Sequence, residues 1–184
     1  QLPEPYLYYD FEDAAGATEA IDSSGNDRTG FVNGNVQFGE EGAPSGSTPG
    51  AGAGFSLGGT GYISVEGSDA PTDFGNRDQG IAASYTMACW IKPDAASFNG
   101  DRFIFGQGSQ GIHHGFRGGS LYHAHWGADF RGQTALNADE WTHLTFTYDS
   151  ESSRGAIYVN GEFDMEMPNQ QGPNGGGGII IGGR

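Results

Sequence analysis

The sequence is poor in basic residues and nearly devoid of cysteine. Its 184 residues include 8 lysines and arginines against 23 aspartates and glutamates, which gives a formal net charge of −15 at pH 7. Such a chain repels nucleic-acid phosphates and anionic lipid headgroups, so neither is an expected partner. Cys89 is the only cysteine, which excludes an intrachain disulfide. No apolar run approaches the length of a membrane span, so we expect none.

What is present is typical of a folded β-protein with many turns. There are 34 glycines, and aromatic residues make up 12% of the chain and are spread along all of it. Glycine at this level without aromatics would point to disorder, whereas the two together point to a packed core connected by turns. The length is sufficient for one β-sandwich with a sizeable core.

The stretch Asn137–Phe163 carries the clearest strand pattern. In WTHLTFTYD the apolar residues alternate with threonines, which is the period-2 signature of a strand. A Ser-rich loop leads to the strand AIYV, and Asn160-Gly161 then supplies two residues that tolerate the positive φ angles of a type I′ turn. Strands that follow one another without a helix predict an antiparallel sheet. Upstream, Tyr85–Ile91 is predicted to be a central strand, apolar on both faces.

Six motifs, taken in order, resemble the laminin-G-like jelly roll of the concanavalin A-like lectin/glucanase superfamily. They are YLYYDFE (6–12), AIDSSGN (20–26), FSL (55–57), GYISV (61–65), YTMACWIKP (85–93) and WTHLTFTYD with IYVNGE (141–162). The resemblance implies an all-β fold, a two-sheet antiparallel β-sandwich of the concanavalin A-like jelly-roll type. It implies a single laminin-G-like domain over residues 1–184, with Leu7–Phe11 as the first strand.

The resemblance implies a function less sharply than a fold. We expect a non-catalytic recognition module, extracellular or at the cell surface, that binds a glycan or a protein surface. The alternative is a structural subunit of a surface or filamentous assembly. Family members usually carry one more strand after the one resembling IIIGGR, whereas this sequence stops at Arg184. We therefore expect either a fragment, or a sheet edge beside Leu7–Phe11 that a partner or second copy completes by strand exchange.

An E-x-D-x-E motif is formed by Glu162, Asp164 and Glu166. On a regular strand the three carboxylates share one face, because side chains repeat every two residues. The motif resembles that of retaining glycoside hydrolases in the same superfamily, where the first Glu is the nucleophile and the last is the acid/base. Here Glu162 follows directly on the Asn160-Gly161 turn. A solvated acidic edge that discourages edge-to-edge pairing is therefore the preferred interpretation, with hydrolysis as the alternative.

The turn DSSGND, residues 22–27, brings several oxygen-bearing side chains together, as calcium loops do. The family resemblance implies that this turn supplies calcium ligands, with Asp22 leading and Asn26 and Asp27 beside it. The alternative is an Asx-turn that only shapes the loop.

The segments 112–116 and 121–126 predict a hairpin around RGGS. His123 and His125 share one face, and His114 joins them across the hairpin, giving three imidazoles that would suit zinc or copper. In the alternative that we favour, an aromatic side chain stacks on a sugar ring while charged and imidazole groups bond its hydroxyls. A third interpretation is a polar sheet face with satisfied histidines. The predicted ligand-binding residues are Arg117, Tyr122, His123, His125, Trp126, Asp129 and Arg131.

Overall fold

The structure is a computed structural model of the chain. It describes residues 4–43, 53–57 (backbone only), 60–65, 74, 80, 83–107, 111–174 and 176–183. The chain divides into two compact units, the first formed by Gln1–Pro71 with Gly178–Arg184 and the second by Thr72–Gly177.

The described elements are almost all β-strands. In chain order they are β1 (Glu19–Ala20), β2 (Gly30–Asn33), β3 (Val36–Glu41), β4 (Ala53–Leu57), β5 (Tyr62–Val65), β6 (Tyr85–Ile91), β7 (Asp101–Gln107), β8 (His113–Arg117), β9 (Ser120–His125), β10 (Ala128–Arg131), β11 (Thr142–Asp149), β12 (Arg154–Val159), β13 (Glu162–Pro168) and β14 (Ile179–Ile181). A 3-10 turn at Ala95–Phe98 precedes β7. No described helix has both the length and the hydropathy that a bilayer crossing requires.

The first unit contains a four-stranded antiparallel sheet in the order β1-β2-β5-β14 and a β3–β4 hairpin. Its core consists of Tyr9, Ala20, Phe38, Ile63 and Val65. Burying a side chain of this kind stabilises the folded state by roughly 1.5–3 kcal/mol for the larger residues. The unit is therefore held together by its own apolar contacts.

The strand predicted at Leu7–Phe11 is not formed. The N–H of Tyr8 donates to Oδ1 of Asp22 at 3.0 Å, so a carboxylate takes the donor that a neighbouring strand would use. Phe11 also has φ 59°, in the left-handed region that ends an extended run. The segment is thus tied to the DSSGND turn, and strand exchange beside it stays a prediction.

The second unit is a sandwich of two four-stranded antiparallel sheets. One has the order β7-β8-β9-β10 and the other β13-β12-β11-β6. Rings from the two sheets meet between them: the centroid of Phe146 on β11 lies 6.3 Å from Phe105 on β7 and 5.0 Å from His114 on β8. The predicted two-sheet antiparallel β-sandwich is confirmed.

The hairpin of β11 and β12 forms as the sequence predicts. β11 buries Leu144, Phe146 and Tyr148, while the residues between them are half-buried. Asn160 and Gly161, which link β12 to β13, have φ angles of 52° and 81°. Both are positive, as a type I′ turn requires.

Strand β6 has the predicted bounds but not the predicted environment. It lies at one end of the described order of its sheet and pairs with β11. Tyr85 and Met87 are buried, whereas the alternate residues Thr86, Ala88 and Trp90 are exposed. The prediction that this strand is apolar and buried on both faces is therefore wrong, because one face of its sheet is open to solvent.

Candidate functional site

The face of the β7–β10 sheet that points away from the second sheet carries five of the seven predicted ligand-binding residues. Strand pairing sets this face, because residues opposite one another on antiparallel strands project to the same side. Tyr122 lies opposite Arg131, and Ala124 lies opposite Asp129. Gly115 lies opposite Tyr122, which places Arg117, two residues along β8, on the same side. We call the cluster of Asp101, His113, Arg117, Tyr122, Trp126 and Asp129 on this face the outer site.

Arg117 connects the polar groups of the outer site. Its Nη1 donates to Oδ2 of Asp129 at 2.8 Å, and its Nε donates to Oδ2 of Asp101 at 3.3 Å. The hydrogen bond to Asp129 raises the pKa of the guanidinium above its ordinary value. The guanidinium carbon lies 4.4 Å from the centroid of the Tyr122 ring, a cation–π distance. Arg117 is thereby fixed in one orientation by two carboxylates and a ring.

Trp126 is the accessible aromatic residue of the outer site. It follows β9 and is 56% exposed. Its ring centroid lies 6.5 Å from that of His113, whose Nε2 is 3.7 Å from Oδ2 of Asp129. Tyr122, by contrast, is only 1% exposed, so its ring is covered. Of the two rings predicted to stack on a sugar, Trp126 is therefore the one that a ligand can reach.

His123 and His125 do not belong to the outer site. Both have no exposed surface and project between the two sheets, on the opposite side of β9 from Tyr122. The predicted ligand-binding set is thus divided: the two histidines lie in the interior, and the outer face carries Arg117, Tyr122, Trp126, Asp129 and Arg131. The expectation that His125 bonds sugar hydroxyls beside Trp126 is wrong, because successive side chains of a strand point to opposite faces.

The interior histidines form a directed hydrogen-bond chain through Tyr85. Nδ1 of His114 accepts the N–H of Ala124 at 3.1 Å, so the proton of a neutral ring must be on Nε2. That Nε2 donates to the Tyr85 hydroxyl at 2.8 Å. The hydroxyl in turn donates to Nε2 of His125 at 2.6 Å, and Nδ1 of His125 donates to the carbonyl of Gln171 at 2.7 Å.

His123 has its own two partners. Its Nε2 lies 3.0 Å from the carbonyl of Thr147 and donates to it, and its Nδ1 accepts from Nε2 of Gln170 at 3.1 Å. Burial, followed by the neighbouring imidazoles, lowers the pKa of both His114 and His123 well below the ordinary value. Both rings are therefore neutral at pH 7.

The three imidazoles meet the distance requirement for a metal site but not the hydrogen-bonding requirement. One ring nitrogen from each of His114, His123 and His125 lies within 4.8 Å of the others. Ligating histidines generally donate their second N–H to an acceptor, as His123 and His125 do toward carbonyls. His114 instead receives a bond from a backbone N–H, so ligation through Nε2 would break that bond. The arrangement supports a hydrogen-bonded core better than a zinc or copper centre.

The carboxylate of Asp22 is occupied by protein donors. Oδ1 accepts from the N–H groups of Tyr8 and Ser24, and Oδ2 accepts from the Ser24 hydroxyl and the N–H of Arg28, all at 2.8–3.0 Å. Burial by itself raises the pKa of Asp22, but these hydrogen bonds outweigh burial and hold the pKa below its ordinary value. The geometry is that of the Asx-turn interpretation.

The other two predicted calcium ligands lie beside Asp22 on the surface. Nδ2 of Asn26 donates to the carbonyls of Pro5 and Tyr6, both at 3.2 Å. Asp27 is exposed, with φ 55°. Together with Asp22, this turn holds residues 5–8 in place, and calcium binding at the turn stays a prediction.

The E-x-D-x-E motif does not present three carboxylates on one face. A β-bulge between Ile157 and Tyr158 shifts the register, so that Glu162 lies opposite Val159 whereas Glu166 lies opposite Ala156. These partners are three residues apart and project to opposite faces. Asp164 accepts the N–H groups of Gln133 and Thr134 at 2.9 and 2.8 Å and thereby anchors a loop. The predicted shared face is wrong because the bulge adds one residue to β13.

A second aromatic surface was missed by the sequence reasoning. Trp90 on β6 and Phe163 on β13 are 46% and 57% exposed, on the outward face of the other sheet. The alternation in YTMACWI, with threonine and alanine at the second and fourth places, was the signal that one face of β6 is open.

A family profile and one solved structure agree with the fold. Residues 57–184 match a laminin-G family profile described as the concanavalin A-like lectin/glucanases superfamily. Domain 4 of AbnA, a GH43 extracellular arabinanase from Geobacillus stearothermophilus, solved in complex with arabinotriose, is similar over 97% of this chain and 82% of its own, at 18% identity and TM-score 0.63. A candidate carbohydrate-binding protein from Bacteroides ovatus is similar over 53% of this chain and 30% of its own, at 24% identity and TM-score 0.40. No curated protein sequence matches.

Proposed function

Since this chain belongs to the concanavalin A-like lectin/glucanases superfamily, we propose that it is a non-catalytic, extracellular carbohydrate-binding module. The single observation that carries the proposal is the position of Trp126, an exposed indole beside the fixed pair of Arg117 and Asp129. The apolar face of a sugar stacks on an indole, and its hydroxyls bond to a carboxylate and a guanidinium. The outer site offers both kinds of group on one sheet face.

The outer site is rigid before any ligand arrives. The guanidinium of Arg117 is held by Asp101 and Asp129 and rests on the Tyr122 ring. Side chains that are already ordered lose little conformational entropy when a ligand binds. Arg117 and Asp129 therefore favour a sugar whose hydroxyl groups match the spacing of the guanidinium and the carboxylate.

The proposal that the module is non-catalytic rests on how its carboxylates are used. A retaining glycoside hydrolase needs two carboxyl groups about 5–5.5 Å apart on either side of the scissile bond. Asp101 and Asp129 both bond to Arg117, so a guanidinium lies where that bond would have to be. Glu162 and Glu166 project to opposite faces of their sheet. We expect no release of reducing sugar from arabinan, laminarin or mixed-linkage glucan.

The first probes are neutral oligosaccharides of the arabinan type, because domain 4 of AbnA was solved with arabinotriose. An extracellular location fits such ligands, since polysaccharides of this kind lie outside cells. The acidic composition of the chain favours neutral rather than anionic sugars as ligands.

The test measures binding to arabinotriose and to a glycan array for the wild-type chain, Trp126→Ala and Arg117→Ala. Losing the stacking ring should weaken binding by about tenfold, equivalent to about 1.4 kcal/mol. Phe31→Ala is the matched control, because Phe31 is a comparably exposed aromatic residue, 47%, in the first unit. Wild-type binding by Trp126→Ala, with an unchanged melting temperature, would refute the outer site as the sugar site.

A further inference from the structure

The outward face of the β13-β12-β11-β6 sheet carries two pairs of aromatic rings. At one end, Trp90 on β6 lies opposite His143 on β11, with ring centroids 5.2 Å apart. At the other end, Tyr158 on β12 lies opposite Phe163 on β13, with ring centroids 5.9 Å apart. We call these four residues the aromatic face. Trp90 and Phe163 are the exposed member of each pair.

The register of the strands places small side chains between the two pairs of rings. Thr145 lies opposite both Ala88 and Tyr158, so a methyl group and a hydroxyl separate the rings. Three strand intervals separate β6 from β13, which corresponds to about 14 Å between the strands that carry Trp90 and Phe163. A rigid sheet thus holds two exposed rings at the ends of a shallow, hydroxyl-lined surface.

The chemistry of this surface favours an uncharged ligand. The charged side chains described on this face include Arg154 and Glu166, which pair with each other at 3.2 Å, and the exposed Asp149 opposite Arg154, all farther along the strands than Thr145 and Tyr158. Around the rings lie threonines and alanines: Thr86, Ala88, Thr145, Thr147 and Ala156. A second copy of the chain is a poor occupant, because each copy carries a net charge of −15 and repels the other.

We propose that the aromatic face is a second polysaccharide-binding surface, separate from the outer site, and that it holds a neutral chain lying across the strands. The inference rests on the proposed function for its ligand class but on different residues. Sugar rings stack on Trp90 and Phe163, and the hydroxyl of Thr145 bonds the sugar units between them. Because the two sheets pack by their inner faces, their outer faces point away from each other. One module therefore holds two polysaccharide chains and bridges them.

The test compares Trp90→Ala/Phe163→Ala with Trp126→Ala on arabinan, mixed-linkage glucan and cellulose, by affinity electrophoresis for the soluble polymers and depletion for cellulose. We expect the double variant to bind at least one of these polymers about tenfold more weakly than the wild-type chain. Trp90→Tyr/Phe163→Tyr keeps both rings and should retain binding. Turbidity of a soluble polymer on mixing should be lost in each single-face variant, because bridging needs both surfaces. Phe163→Ala alone replaces the double variant if the latter melts at a lower temperature.

The outcomes separate this inference from the proposed function. Weaker binding by the double variant alone supports the aromatic face and refutes the outer site. Weaker binding by Trp126→Ala alone does the reverse. Wild-type binding by both variants refutes both sites. A wild-type dimer in light scattering that becomes a monomer in the double variant overturns the inference in favour of self-association through this face.

Discussion

The backbone N–H of Ala124 on β9 donates to Nδ1 of His114 on the neighbouring antiparallel strand β8, at 3.1 Å. This bond determines the tautomer of His114, because an atom that accepts an N–H cannot itself carry a proton in the neutral ring. The direction of every further bond through Tyr85 and His125 follows from it. A core that contains three imidazoles is thus satisfied by hydrogen bonds to protein groups.

The first prediction is a loss of stability in mild acid. The pKa values of His114 and His123 are lowered in the folded state, whereas a histidine in the unfolded chain has an ordinary value of about 6.5. Above that pH neither state binds the proton, so stability does not depend on these residues' titration. Below it only the unfolded state binds it, so the free energy of unfolding falls by up to about 1.4 kcal/mol per pH unit for each histidine.

Urea denaturation at pH 7.5, 6.5 and 5.5 tests this, since the carboxylates titrate mostly below that range. His114→Gln should be less stable at pH 7.5 but should lose less stability between pH 6.5 and 5.5 than the wild-type chain. His143→Gln is the control, because His143 is only half-buried and lies on the outward face of its sheet. Equal wild-type stability at pH 7.5 and 5.5 would contradict the neutral-histidine core.

The second prediction concerns Tyr85→Phe, which removes the hydroxyl that joins Nε2 of His114 to Nε2 of His125. Two buried nitrogens then lose their partner, and leaving such groups unsatisfied costs about 1–3 kcal/mol each in the folded state. We expect the free energy of unfolding to fall by about 2–4 kcal/mol in urea titration at pH 7.5. Tyr158→Phe, on the outward face, should change it by no more than about 0.5 kcal/mol. A zinc-dependent rise in melting temperature that Tyr85→Phe leaves intact would instead point to a metal held by the histidines.

The third prediction concerns Asp22, whose carboxylate accepts four hydrogen bonds, one from the N–H of Tyr8 and three from Ser24 and Arg28. Asp22→Ala should lower the free energy of unfolding by about 2–3 kcal/mol even in the presence of a chelator, because the donors lose a charged acceptor. Asp27→Asn, at an exposed position with φ 55° where asparagine is tolerated, should have little effect. Melting in millimolar calcium and in chelator separates the two interpretations of the turn. If Asp22→Ala lowered the melting temperature only in the presence of calcium, the carboxylate would be a calcium ligand.

Local pattern by itself determined the β11–β12 hairpin, the Asn160-Gly161 turn that links β12 to β13, and the fact that His114, His123 and His125 share a side of their hairpin. These features depend on side-chain alternation and on the φ angles of single residues, which neighbouring residues set. The sequence also suggested Arg117 and Asp129 as ligand-binding residues, and strand pairing from β8 through β9 to β10 places both on one sheet face.

Only the tertiary structure decided which side of each sheet is covered. Alternation cannot tell the inner face from the outer one, so His125 and Trp126 were predicted to act together although the packing of the second sheet separates them. It also cannot show the bulge that sends Glu162 and Glu166 to opposite faces, since one extra residue in a strand leaves no mark in the pattern. Nor does it show that Asp22 takes the N–H of Tyr8, a contact between residues 14 positions apart. In each case the deciding partner is distant in sequence, and its position follows from the packing of the whole unit.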